Sequence, residues 1–172
     1  MKRRVGIVGY GKLGKFLSQE IQHSELSSSY DLSFVWNRDP SKVGDEIPKE
    51  KRLDHLSEFR QYSSDLIVEV AHPIVSQQWG VHFLEHCDYM AGSPTAFAQQ
   101  ETEDALRHAA SKNGLYIPRG ALPGLEEVLS MKRSGKLAAA SITMKKHPSS
   151  LKFSGPMDVP LSSVTGPKTI YE

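Results

Sequence analysis

Three glycines, Gly9, Gly11 and Gly14, separate the run "RVGIV" from the run "KFLSQEI", and they constrain this chain more than any other feature. Glycine weakens the interior of a helix or a strand, so three in six residues mark a place that tolerates no side chains. Before them, Val5-Gly6-Ile7-Val8 is a short β-branched run, the pattern of a strand buried on both faces. After them, Leu13, Phe16, Leu17 and Ile21 recur at i, i+3, i+4 and i+8, which predicts a helix with these four on its buried face. G-x-G-x-x-G between a strand and a helix is the dinucleotide-binding fingerprint. Gly9 permits the tight turn, Gly11 lets backbone amides approach a pyrophosphate, and Gly14 lets the helix pack closely on the strand. The helix N-terminus then offers unpaired N–H groups and a partial positive charge. A P-loop is excluded, because no Gly-Lys-Ser/Thr follows at the required spacing.

The rest of the chain alternates. "LSFVWN" (32–37) reads as a strand stopped by Arg38-Asp39-Pro40-Ser41, and "LDHLSEF" (53–59) as a short helical piece. "DLIVEVA" (65–71) is a third buried strand ending at His72-Pro73, followed by a helix over 74–86 that buries Val75, Trp79 and Phe83. "CDYMAG" (87–92) is a weak strand. Residues 97–112 form a helix with Ala98, Thr102, Ala105, Leu106 and Ala109 on one face, closed by Gly114, and "LYIP" (115–118) is a further strand. Leu122, Leu125, Val128 and Leu129 mark a helix ending at Gly135, and "AASITMKKHP" (139–148) is strand-like. Strands alternating with helices imply crossovers, hence an α/β fold with a doubly wound parallel sheet. The change of character beyond residue 120 divides the chain into a cofactor domain, 1–120, and the beginning of an incomplete second domain, 121–172.

The end of the second strand should face the adenosine ribose of a bound dinucleotide. An acid there favours NAD, whereas an Arg accommodates the 2′-phosphate of NADP. Here the residues are Asn37 and Arg38, with Asp39 one step beyond, so NADP is expected to bind at least as well as NAD. Ligands of open α/β sheets bind outside the carboxyl ends of the strands. That rule nominates Ala71, His72 and Pro73, then Gly92, Ser93 and Pro94, then Arg119, Gly120 and Ala121. His72 is open to three readings: a catalytic base, a contact to cofactor ribose or nicotinamide, or a loop cap. His55, His82, His86 and His108 fall on expected helices and read as surface or core residues. His82 and His86 have the spacing of a helical metal pair, but no third ligand accompanies them, and no metal is expected.

With a net charge of +1, the 172-residue chain has no basic excess for nucleic acid, and no run is long enough to span a bilayer. The lone cysteine, Cys87, rules out an internal disulfide framework and reads as a small core residue, so a cytoplasmic setting is expected.

"GIVGYGKLG", "VWNRD", "LIVEVAHP", "YMAGSPTA" and "PRGALPGLEEV" occur in this order, and with them the chain resembles the L-aspartate dehydrogenase family over nearly its whole length. The last two blocks are more specific than the glycine fingerprint. The resemblance implies a Rossmann domain followed by an α+β domain that carries much of the substrate site and the contacts of a homodimer. It implies NAD(P)-dependent oxidative deamination of L-aspartate to iminosuccinate, then oxaloacetate and ammonia. By position, Gly9, Gly11 and Gly14 would hold the pyrophosphate, Tyr10, Lys12 and Leu13 would be cofactor-binding residues beside them, and Asn37 and Arg38 would hold the adenosine ribose. Ala71, His72 and Ser93 would flank the cofactor, and Ala121 would lie beside the nicotinamide. The family's catalytic histidine and a cofactor-contacting asparagine lie past the point where this chain stops, and His147 does not sit in the expected motif. No residue here is therefore assigned the catalytic role, and a shortened form with a cofactor half and little chemistry is the expectation. Arg119, Lys145 and Lys146 are the cations nearest the expected substrate carboxylates. Two other readings remain: a non-catalytic dinucleotide-binding protein, and a reductase of the dihydrodipicolinate reductase or homoserine dehydrogenase type.

Overall fold

The structure is a computed structural model, and it describes residues 1–118, 124–150, 163–167 and 169. The chain forms two compact units, Met1–Pro123 and Gly124–Glu172.

The first unit is built on six strands: β1 (Arg3–Val8), β2 (Tyr30–Trp36), β3 (Arg52–Leu53), β4 (Leu66–Glu69), β5 (Asp88–Ala91) and β6 (Leu115–Tyr116). They lie in the order β3-β2-β1-β4-β5-β6, every pair parallel. Helices α1 (Lys12–His23), α2 (Pro73–Leu84) and α3 (Gln100–Ala109) connect them, with 3₁₀ turns elsewhere. The chain leaves β1 toward one edge of the sheet and β4 toward the other, so a crevice opens between their carboxyl ends. Such a reversal point is where doubly wound sheets bind ligands.

Alternation along the strands divides the core into two layers. Val5, Ile7, Leu32, Val35 and Val68 face Ile21 of α1. Val8, Phe34, Ile67, Tyr89 and Ala91 face Val75 and Phe83 of α2 and Leu106 of α3. The central strands thus bury both faces, which is why they read as continuous apolar runs. Cys87 is buried in the second layer, and desolvation pushes its thiol up to about 12. It is a core thiol, as its sequence context suggested.

Several expectations change. In α1, Leu13 and Phe16 are 53% and 55% exposed, while the buried residues are Gly14, Ser18 and Ile21. The glycine lets the helix lie close to the β1 turn, so Leu13 and Phe16 rotate away from the core while Leu17 and Ile21 stay against it. The helix expected over 97–112 divides into a 3₁₀ turn at Pro94–Ala98 and α3, whose one buried residue is Leu106. His55 precedes a 3₁₀ turn rather than lying on a helix, and His86 falls past the end of α2. His82 faces Glu85, and no metal-holding group of three His, Cys, Asp or Glu occurs among the described residues. No described helix is long and apolar enough to cross a membrane.

In the second unit, α4 (Leu125–Arg133) ends as expected at Gly135, whose φ is +69°. The N–H of Lys136 bonds the carbonyl of Met131 and that of Gly135 the carbonyl of Lys132, a Schellman closure. The strand expected over 139–148 does not form: residues 136–147 carry neither helix nor strand. A strand exists only when another pairs with it, and no described strand pairs with this segment. Lys145 and Lys146 are exposed there. Leu122, Arg119, Gly120 and Ala121 lie outside the described residues.

Candidate functional site

The β1–α1 turn shows what each glycine does. Gly9 has φ +114°, and a Cβ on it would come within 2.8 Å of the Val70 carbonyl and the Ala71 nitrogen. A Cβ on Gly14 would collide with the Gly9 carbonyl oxygen. Gly11 differs, since a Cβ there would meet nothing within 4 Å. Protein packing leaves that position free. Gly11 is also the N-cap of α1, with no side chain bonded to the helix end and no acid in the first turn. The helix therefore presents its free amides and positive dipole end to the crevice. These features fit a pyrophosphate. Lys12 and Leu13 are exposed beside it.

Tyr10, between two of the glycines, turns inward. Its ring is buried, its hydroxyl donates to Glu46 at 2.8 Å, and Lys15 Nζ stands over the ring at 5.3 Å. Burial first, and then Glu46, raise the phenol above its ordinary pKa. The Tyr10 N–H donates to Asn37 Oδ1 at 3.1 Å, and Asn37 Nδ2 donates to the Asp39 carbonyl at 2.8 Å. Asn37 therefore braces the glycine turn against the end of β2, leaving one amide N–H for a ribose hydroxyl.

Asp39 is turned away from this position. Its carboxylate caps the 3₁₀ turn Pro40–Lys42, accepting from Ser41 N at 3.2 Å and Ser41 Oγ at 2.6 Å, with Lys42 Nζ at 3.8 Å. The Ser41 hydroxyl bond is the first cause holding its pKa below the ordinary value. Arg38 is exposed and forms no ion pair among the described residues. The end of β2 thus offers an unengaged cation and a carboxylate already committed elsewhere.

Across the crevice, His72 caps α2, and its Nδ1 accepts from Ile74 N at 3.2 Å. In the neutral ring this places the proton on Nε2, so the exposed nitrogen is a donor and not a base. Of the three readings of His72, cap and donor are compatible with each other; base chemistry requires the cap to break.

Sequence reasoning passed over the residue that organises this side. Glu69, the last residue of β4, is fully buried, and its carboxylate accepts from Ala71 N at 2.7 Å and His72 N at 2.8 Å. It also accepts from Ser93 N and Ser93 Oγ, each at 3.0 Å. Both donors of Ser93 therefore point inward, leaving its oxygen lone pairs as what it can offer a ligand. Gly92 is required as well, because a Cβ there would strike the Glu69 carbonyl oxygen. A signal was available: an acid in the apolar run "LIVEVA" is rarely buried without dedicated partners.

The residues nominated after β1, β2, β4 and β5 thus line one edge of the sheet. Tyr10 bonds Asn37, Gly9 abuts Ala71, and Glu69 ties Ala71 and His72 to Ser93. Ala121, nominated beside the nicotinamide, lies outside the described residues.

The sequence model described as "Homoserine dehydrogenase, NAD binding domain" matches residues 9–118. An aspartate dehydrogenase domain-containing protein of Danio rerio is 42% identical over 98% of this chain and 62% of its own length. One of Xenopus tropicalis is 43% identical over 90% of this chain and 55% of its own length. The chain thus spans roughly three-fifths of the curated relatives it matches. The crystal structure of an aspartate dehydrogenase from Thermotoga maritima superposes with a TM-score of 0.58, at 24% identity, over 77% of this chain and 52% of that one. At that identity the likeness supports the fold alone.

Proposed function

The chain belongs to the homoserine dehydrogenase NAD-binding domain family, with aspartate dehydrogenase domain-containing proteins among its relatives, and from that premise we propose that it serves the NAD(P)-dependent oxidation of L-aspartate. A nicotinamide dinucleotide is the cofactor of the domain, and when bound it supplies the acceptor for the hydride leaving the substrate's Cα. Oxidation at that carbon gives iminosuccinate, which water converts to oxaloacetate and ammonia.

The observation that carries the reading is the turn at Gly9, Gly11 and Gly14, with Gly11 facing open space at an uncapped helix end. In this reading the α1 amides hold the pyrophosphate. Asn37 fixes the turn and contributes an N–H toward the ribose, and Arg38 meets a 2′-phosphate. His72, donating from Nε2, orients the cofactor at the β4 edge. Fixed placement of the reacting carbon near the ring supplies much of the rate in such a transfer. The proton of the substrate ammonium requires a base, and none is assigned within this chain. A homodimer and a cytoplasmic setting are part of the same proposal.

A second reading, a dinucleotide-binding protein without turnover, is favoured by the engagement of His72 Nδ1 on Ile74. One experiment separates the two. NADPH and NADH are titrated by fluorescence, then oxaloacetate and ammonia are added and the reduced nicotinamide followed by absorbance. Turnover supports the dehydrogenase, binding without turnover supports the second reading, and absence of binding sinks both.

A further inference from the structure

Glu69 is a buried acid with no cation beside it: none of the ion pairs among the described residues includes it. Five donors surround its carboxylate instead. Oε1 accepts from Ala71 N, His72 N and Ser93 Oγ at 2.7, 2.8 and 3.0 Å. Oε2 accepts from Ser93 N at 3.0 Å and from Ser76 Oγ at 3.4 Å. The Ser76 hydroxyl also meets Tyr89 Oη at 2.7 Å, so when Ser76 donates to Glu69 it can accept from Tyr89. An ionised carboxylate only accepts, and a shell made wholly of donors matches that form.

A core position could hold a valine or isoleucine here without desolvating a charge, so packing alone does not explain an acid. Its position does. The donors belong to the segments that follow β4 and β5, and both form the crevice rim opposite the adenosine side. We propose that Glu69 is a positioning residue for the dinucleotide: its carboxylate clamps the 71–72 and 92–93 segments into one rim that receives the nicotinamide-ribose half. The inference rests on reading the crevice as a dinucleotide site. The adenosine half is braced separately, through Asn37 and Tyr10.

Glu69→Gln tests this with nearly unchanged volume. The amide oxygen keeps the Oε1 position, where three donors converge, and the NH₂ replaces Oε2 and faces the Ser93 N–H, donor against donor. Hydrogen exchange on the 172-residue chain is expected to show loss of protection at the Ser93 amide, with protection of the Ala71 and His72 amides retained. Fluorescence titration is expected to give about tenfold weaker NADH binding. Binding of ADP, which carries the adenosine half alone, is expected to stay within about twofold. A variant with only a structural defect would weaken both ligands in parallel, and that result overturns the proposal, as does unchanged NADH affinity. If Glu69→Gln does not fold, Ser76→Ala removes one buried donor that does not lie on the rim. It should weaken NADH about threefold and leave ADP unchanged, and equal NADH affinity then overturns the proposal. If the parent chain binds neither NADH nor ADP, the dinucleotide reading fails and the positioning role with it. If the parent binds both and the variants match it, the positioning role alone fails.

Discussion

On the β1 side of the crevice the wall is mainly backbone, whereas on the β4 side it is gathered mainly by one side chain, although Gly92 also excludes a Cβ there. At Gly9 and Gly14 the chain excludes even a methyl group, so the turn and helix α1 take one arrangement by steric necessity. Across the crevice, Ala71, His72 and Ser93 are ordinary residues, and Glu69 draws their amides to a common centre. A wall shaped by exclusion changes abruptly when a single atom is added. A wall shaped by convergent hydrogen bonds changes by degrees, because each donor can be removed separately. The same crevice therefore joins a rigid glycine turn to a rim whose geometry can be tuned.

The largest effect that would break this comparison is at Gly14. Gly14→Ala puts a Cβ into the Gly9 carbonyl, so α1 must shift. Denaturant unfolding should show a loss of about 2–3 kcal/mol, with dinucleotide binding lost as well. A variant as stable as the parent would show that the turn yields, and the contrast between the walls would fall.

Gly11→Ala sharpens the comparison, because the space around it is open. Stability should change by less than about 1 kcal/mol, the scale of a helix-cap exchange. NADH affinity should fall about thirtyfold, equivalent to about 2 kcal/mol, as the methyl occupies the pyrophosphate's approach. Loss of stability with affinity retained would assign this glycine to folding.

Arg38→Ala gives the smallest effect. NADPH affinity should drop about tenfold, the worth of one charge-assisted contact, while NADH affinity stays within about twofold. Parallel titrations check it, and an equal drop for both cofactors would remove the guanidinium from the 2′-phosphate.

Of these features, the glycine turn was the most legible, because part of its cause, the packing of Gly14 on the Gly9 carbonyl, lies within six residues of chain. The alternation of apolar runs likewise predicted the parallel sheet, since burial on both faces leaves a continuous pattern in each strand. The buried face of α1 was less legible: Leu13 and Phe16 have helical spacing, but how closely Gly14 approaches the β1 turn decided which stripe faces inward. "AASITMKKHP" carries a strand's composition, yet pairing is a property of two segments and could not be read from one.

The sequence by itself determined the alternation of the longer strands and helices before residue 118, the glycine turn after β1, and the absence of an acid at Asn37-Arg38. These follow from local sterics, apolar periodicity and residue charge. Only the tertiary structure decided that Asn37 braces the turn, that Asp39 is committed to Ser41, and that Glu69 gathers two loops around one charge. The partners concerned come from different strands, and a hydrogen bond across that distance exists only once the sheet has brought its carboxyl ends together.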